Sequence, residues 1–305
     1  MFEKCRLCGF ECGVNRIRGE KGRCKAGCEL KIAKWLLHFG EEPPISGNNG
    51  SGTIFFSCCS LQCVFCQNYQ ISQERMGELY SIEEFVNIIF SLQNKGCHNI
   101  NLVSPTHFTP LIKQGIIKAK NNGLKIPVVY NTNGFDSREN INMLEGIVDI
   151  YLPDFKYFND GFALKYSYAK NYRKTAEKSI LEMYRQVGHL QLDPDKIAYK
   201  GILIRHLVLP DYISGTFEIL KWIKDKLSKK TYISIMSQYN PVYKAKKYPE
   251  INRTITRDEY EKVIEFAAHL GFSNCFIQDY DSPDYYLPDF SKENPFNWTT
   301  RVQKN

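Results

Sequence analysis

Three cysteines, Cys59, Cys63 and Cys66, stand in the spacing CxxxCxxC. Thiolates are the soft donors that zinc and iron-sulfur centres require. A compact loop of this spacing can wrap three sulfurs around one four-iron cuboid with no fourth thiolate in reach, which leaves one iron open to a small molecule. Zinc fits less well, because it wants four ligands, usually as two paired knuckles, and no matching Cys/His pair follows at a suitable distance. Structural disulfides fit less well still, since the chain opens on the charged stretch Met1-Phe2-Glu3-Lys4-Cys5 with no apolar leader-like run. Cys58 has the wrong spacing to join the triad and is expected to be a buried strand-end residue.

A second thiol-rich unit precedes the triad: Cys5, Cys8, Cys12, Cys24 and Cys28. The surrounding stretch, with glycines at 9, 13, 19, 22 and 27, has too little apolar material to fold unaided. Two readings stay open here, a structural zinc using four of the five thiols and a second iron-sulfur cluster. His38 is expected to pack near Trp35 rather than to ligate metal.

The whole chain bounds these readings. Its 305 residues allow a sizeable core, and it contains no run of about 18 apolar residues, so no membrane partner is expected. The formal charge of +7 permits an acidic partner, but no interleaved aromatic and basic motif accompanies it, so nucleic acid is not expected as a partner. Eleven cysteines in a chain without secretory signals point to metal and to a reducing, cytoplasmic location.

The chemistry must be held by elements that the pattern also suggests. From Gly52 onward, β-rich apolar runs at 53–57, 99–104, 126–131, 148–154, 201–209, 231–237 and 274–279 alternate with helix-period segments. Ser81 with Glu84, and Thr256 with Glu259, form capping-box patterns, and Asp136 and Ser214 are expected N-caps. This alternation predicts an α/β fold, a partial or near-complete (β/α)6 TIM-type barrel covering 47–282. A cysteine-rich N-terminal extension covers 1–46 and a C-terminal tail 283–305. In such barrels the site gathers at the C-terminal ends of the strands. The triad, Ser104-Pro105-Thr106-His107, Asn131-Thr132-Asn133-Gly134, Asp154-Phe155-Lys156, His206 to Pro210, and Gln238-Tyr239 all follow strands in this way. His107 and His206 are therefore candidate proton donors, although rim histidines often only bond backbone.

The triad, with Phe65 before its last cysteine and Gln67-Asn68-Tyr69 after it, resembles the signature of the radical S-adenosylmethionine (SAM) superfamily. With Gly50 to Ser57 and Ile204 to Pro210 added, the segment 47–278 resembles the pyruvate formate-lyase activating enzyme and an uncharacterised activase-like subfamily. The resemblance implies a 4Fe-4S cluster on Cys59, Cys63 and Cys66, SAM as cofactor, and an electron donor such as flavodoxin or ferredoxin. It implies cofactor contacts from Phe65, Ser104, Thr106, Asn131, Thr132, Asp154, Lys156, Arg205 and Gln238. The bland alternatives are a surface Asp154–Lys156 ion pair and a plain turn at Asn133-Gly134. Two family features are missing: the Gly-Gly-Glu-Pro element is replaced by Ser104-Pro105-Thr106-His107, and an adenine-contacting histidine by Ser237-Gln238-Tyr239. The implied reaction is hydrogen abstraction, with a protein or peptide glycine as substrate in keeping with short loops and no evident lid. The alternatives are a small molecule or an RNA base as substrate, and a non-catalytic iron-sulfur scaffold.

Overall fold

All seven β-rich runs become strands. The computed structural model describes residues 1–284 and 286–296. Its strands are β1 (Leu30–His38), β2 (Ser51–Phe56), β3 (Glu78–Tyr80), β4 (Ile100–Val103), β5 (Val128–Thr132), β6 (Ile150–Pro153), β7 (Gln191–Leu192), β8 (Ala198–Leu207), β9 (Tyr232–Met236) and β10 (Cys275–Ile277). The expected strands correspond to β2, β4, β5, β6, β8, β9 and β10, which lie side by side in that order and are parallel throughout. Helices such as Ile82–Asn94, Thr109–Asn121, Tyr172–Val187, Thr216–Lys226 and Arg257–His269 form the crossovers. The sheet does not close, so the architecture is a partial TIM-type barrel.

Three strands escaped the sequence reading. β1 pairs antiparallel with β2, and β3 antiparallel with β1, extending the sheet beyond the first barrel strand. β1 alternates weakly, with a register shift at Ile32/Lys34, so its period-2 signal is blurred. β7 is a two-residue spur on β8. Both capping boxes form as expected. The other two N-caps shift by one residue: Ser137 caps Arg138–Asn142, because the Asp136 carboxylate turns inward to Tyr130 and Asn140, and Gly215 precedes Thr216–Lys226.

Two segments complete the open barrel. Residues 39–46 cross its N-terminal end, where Ile45 is fully buried against Val129, Ile150, Leu152 and Leu203. Burying such a side chain contributes about 1.5–3 kcal/mol. At the lateral gap, Phe290 and Phe296 from the C-terminal segment pack on Phe55 and Val103 of the first two barrel strands. Gln70, in the short helix Tyr69–Ser72 beyond the cysteine triad, holds this segment by donating to Asp289 Oδ1 at 3.2 Å and accepting from the Phe290 amide at 2.8 Å.

Three histidines are buried in this framework. His206 uses both ring nitrogens, on the Phe155 carbonyl at 2.7 Å and Thr216 Oγ1 at 2.8 Å, on the helix side of β8. His107 donates Nε2–H to the Ser57 carbonyl at 2.7 Å. Neither lines the central cavity, so neither is a proton donor there. Burial lowers His206 to about 4, and His107 and His38 to about 3. These values lie below that of free imidazole, so the unfolded chain binds protons that the folded chain refuses. This share of the stability is therefore complete above about pH 6.5 and is lost as pH falls toward 4 and then 3. Urea midpoints are expected to drop between about pH 7 and about pH 5, and His206→Gln, which keeps a donor for the Phe155 carbonyl, is expected to make that drop shallower.

Candidate active site

The loop after β2 carries the cysteine triad into a cavity of about 700 Å³ at the C-terminal ends of the barrel strands. Its path needs two residues with left-handed backbone, Cys58 (φ 73°) and Gln62 (φ 54°). The Val64 amide donates to the Tyr166 carbonyl at 2.8 Å, and the Val64 carbonyl accepts from the Lys244 amide at 2.9 Å, so the loop is pinned from both sides. Gln73 donates to the Cys63 carbonyl at 2.8 Å, and Gln67 to the Gln238 carbonyl at 2.6 Å. Phe65 is buried edge-on against Tyr239 and Tyr157. Cys58 is buried, as expected.

Each triad sulfur has one polar neighbour. Asn133 Nδ2 donates to Cys59 Sγ at 3.5 Å, Ser167 Oγ donates to Cys63 Sγ at 2.9 Å, and Ser72 Oγ lies 3.2 Å from Cys66 Sγ. Such contacts to sulfur tune a cluster's reduction potential. The sequence reading missed Ser72 and Ser167, and for Asn133 it left a rim motif and a plain turn both open. Serine carries no spacing signal, and only the fold brings Ser167 to Cys63. Burial pushes the Cys66 thiol up to about 12 and raises Cys63, with the neighbouring triad sulfurs adding to the effect. Two buried thiols whose ionisation is opposed, with Cys59 beside them in one pocket, are a donor set that a cationic iron-sulfur centre relieves. Among the described residues no three Cys, His, Asp or Glu side chains stand already at ligand geometry. The fit therefore rests on donor chemistry and common facing.

Below the triad the cavity floor is a knot of buried charge. Arg205 donates to Asp154 Oδ1 at 2.9 Å, Glu41 Oε2 at 3.0 Å and Asn131 Oδ1 at 2.6 Å. Glu41 Oε1 also accepts from Asn101 at 2.9 Å and Asn131 at 3.2 Å. Lys156 Nζ donates to Asp154 Oδ2 at 2.6 Å, so the Asp154–Lys156 pair is buried rather than on the surface. Burial alone would raise the Asp154 carboxyl, but Arg205 and Lys156 hold it below the usual range. Burial alone would lower Lys156, and Asp154 and Cys63 raise it instead. Glu41 goes up, because burial outweighs the pull of Arg205. Glu41 and Glu42, which also lines the cavity, were invisible in sequence because they belong to the segment before the barrel.

The remaining candidates divide. Ser104, Asn131, Thr132 and Gln238 line the cavity with Phe65, Asp154, Lys156 and Arg205. Thr106 does not: its hydroxyl lies 3.3 Å from that of Thr132, which in turn donates to Asp136, so both side chains turn to the buried Asp136 network. Gly134 requires glycine, since at φ 76° an added Cβ would lie 2.2 Å from the Asp154 carbonyl oxygen. His38 lines the cavity edge-on to Phe55, not against Trp35.

A parallel partial barrel with three cysteines on the loop after its first strand and buried charge beneath them defines a cofactor-dependent enzyme class. The family model of the radical SAM superfamily matches residues 53–212. The chain belongs to that superfamily, whose members use a 4Fe-4S cluster and SAM and generally need a reductant such as flavodoxin or ferredoxin. It is 34% identical over 278 residues to the uncharacterized protein MJ0674 of Methanocaldococcus jannaschii, covering 88% of this chain and 75% of the relative. Among solved structures, methylornithine synthase (PylB) aligns with TM-score 0.50 and 13% identity, covering 84% of this chain and 77% of its own. HydG, a maturase of the FeFe-hydrogenase, aligns with the same TM-score and identity over 72% of this chain, which spans about half the length of HydG (48%). Both likenesses show the fold.

Arg205→Met is expected to leave Glu41 buried without its cation and Asp154 with Lys156 alone, and to cost about 3–5 kcal/mol in urea unfolding. Adding Glu41→Gln to that variant is expected to recover part of the loss. With Glu41→Gln also measured by itself, a double variant whose loss equals the sum of the two single losses would mean that the two side chains are not coupled.

Proposed function

We propose that the protein is a radical SAM enzyme acting on a small polar substrate, with the amino-acid end of SAM beside Lys156 and Asn131. The observation that carries this reading is that Cys59, Cys63, Cys66, Asn131, Lys156 and Gln238 line one cavity whose side is filled by Phe290 and Phe296. When bound, the cluster and SAM supply a 5'-deoxyadenosyl radical, hydrogen-abstraction chemistry that no side chain could start. Lys156 reaches both Asp154 and the field of Cys63, and its remaining N–H groups are available to a carboxylate between them. Arg205, with its donors already committed to Asp154, Glu41 and Asn131, acts as a strut that fixes the floor. Tyr239 is anchored by donating to the Ile251 carbonyl at 2.6 Å, so it supports Phe65 rather than swinging onto an adenine.

The volume, about 700 Å³, falls within the ~300–1,000 Å³ of sites that enclose small molecules. The expectation of an open face without a lid does not fit the described residues, because Gln278, Ser282 and Tyr286 also line the cavity from the C-terminal segment. That cover favours a small substrate over the peptide glycine implied by the activase resemblance. Lys244, whose amide bonds Val64 of the triad loop, begins a lysine-rich turn with Lys246 and Lys247 that suits an acidic electron donor.

Anaerobically reconstituted protein with dithionite is expected to release 5'-deoxyadenosine from SAM. Cys63→Ala should abolish release, and Lys156→Ala should weaken SAM binding roughly tenfold while the cluster absorbance persists. Adding the low-molecular-mass fraction of a cell extract should stimulate release more than the protein fraction does. Stimulation by the protein fraction alone would favour the peptide reading, and no release from a fully loaded cluster would leave only a scaffold.

A further inference from the structure

The N-terminal cysteines fold around one another. Cys5 and the stretch just after Cys12 form a two-way ladder: the Cys5 amide donates to Val14 at 3.0 Å and the Gly13 amide to Cys5 at 2.9 Å. A turn in which the Glu11 amide donates to the Cys8 carbonyl, with Glu11 at φ 40° and Gly13 at φ 67°, folds Cys12 back until its sulfur lies 4.0 Å from the Cys5 carbonyl oxygen. The next turn closes from the other side. A Cβ on Gly22 would lie 2.4 Å from Cys12 Sγ, so only glycine lets the 22–25 turn, which carries Cys24, pass this close to that sulfur. Burial raises the Cys8 and Cys24 thiols, and the neighbours that raise them further are Cys24, Cys5 and Cys12 for the first and Cys5 and Cys12 for the second. The buried Arg16 places Nη1 4.0 Å from Cys5 Sγ, a cation suited to a thiolate-rich centre.

Cys28 stands elsewhere. It lines a separate groove with Leu30, Leu79 and Tyr80 beside β1 and β3. The four converging thiols belong to a segment whose only regular element before β1 is the single turn Arg16–Arg18. That segment is docked on the site: the Gly9 amide donates to the Phe135 carbonyl at 2.9 Å, the Ser137 amide to the Leu7 carbonyl at 3.1 Å, and Gln62 of the triad loop to the Arg23 carbonyl at 3.2 Å.

We propose that Cys5, Cys8, Cys12 and Cys24 bind one thiophilic metal centre, of zinc or iron, that Cys28 is not a ligand, and that this centre staples the N-terminal segment to the 133–137 loop and the radical triad. Four thiols brought into one short segment are a donor set for such a metal, which supplies the folding energy that the segment's few apolar residues do not.

The test uses the full-length protein purified anaerobically. The Cys59→Ala/Cys63→Ala/Cys66→Ala chain is expected to retain either about one zinc or an iron-sulfur centre, read by elemental analysis and visible absorbance. Either metal supports the site, and a metal-free chain overturns it. Cys12→Ser should lose that metal and Cys28→Ser should keep it, with circular dichroism confirming that both are folded. Metal retained by folded Cys12→Ser, or lost from folded Cys28→Ser, overturns the ligand set. Alkylation of the unsubstituted protein needs no variant to fold. Cys12 is solvent-exposed, yet it should resist iodoacetamide until a chelator is added, while Cys28 labels at once. Immediate labelling of Cys12 in metal-replete protein overturns the proposal.

Discussion

The Arg205 guanidinium is the constraint on which the site depends. It sits on β8 and bonds to Asp154 beyond β6, Asn131 on β5 and Glu41 on the segment that crosses the barrel floor. A cation removed from water must find fixed anionic or polar partners, and each partner here belongs to a different element. The spacing of three strands and the floor is thereby set by one planar fork. Lys156 extends the same arrangement upward through Asp154 toward Cys63. The charge knot thus links the base of the barrel to the sulfurs at its rim.

An unclosed barrel leaves two problems, an exposed interior at one end and a gap along one side. This chain solves both with segments outside the alternating βα units. Ile45 and Glu41 close the floor, one by apolar burial and the other by salt-bridge and amide contacts. Phe290 and Phe296 close the side against Phe55. Because Gln70 ties that C-terminal segment to the helix following Cys66, the side wall and the triad loop are mechanically joined. A low-dielectric cavity with fixed dipoles results, the setting in which buried charge acts most strongly.

The triad loop is held by backbone bonds at Val64 and by glutamine side chains, and its sulfurs meet neutral hydroxyl and amide groups. Neutral donors stabilise a negatively charged centre without cancelling its charge, which leaves Lys156 as the nearby full positive charge facing Cys63. Behind this loop, the N-terminal segment presses on residues 133–137, the turn whose Asn133 touches Cys59. The two cysteine groups are therefore neighbours in space although Cys24 and Cys59 are 35 positions apart in the chain.

Much of this protein was legible in its sequence. The seven parallel strands, both capping boxes, the superfamily-defining spacing of Cys59, Cys63 and Cys66, and the clustering of polar motifs at strand ends are all local patterns, written within a few residues of one another. The tertiary structure alone decided which distant groups meet. Glu41 joining Arg205, Ser167 joining Cys63, Thr106 and the Thr132 hydroxyl turning away to Asp136, and Cys28 lining a groove with Leu79 and Tyr80 depend on contacts between segments far apart in the chain. Periodicity reports which face of an element is buried, but not what lies against it. A carboxylate before the first barrel strand or a serine in a crossover helix acquires its partner only when the sheet curls and brings the two together.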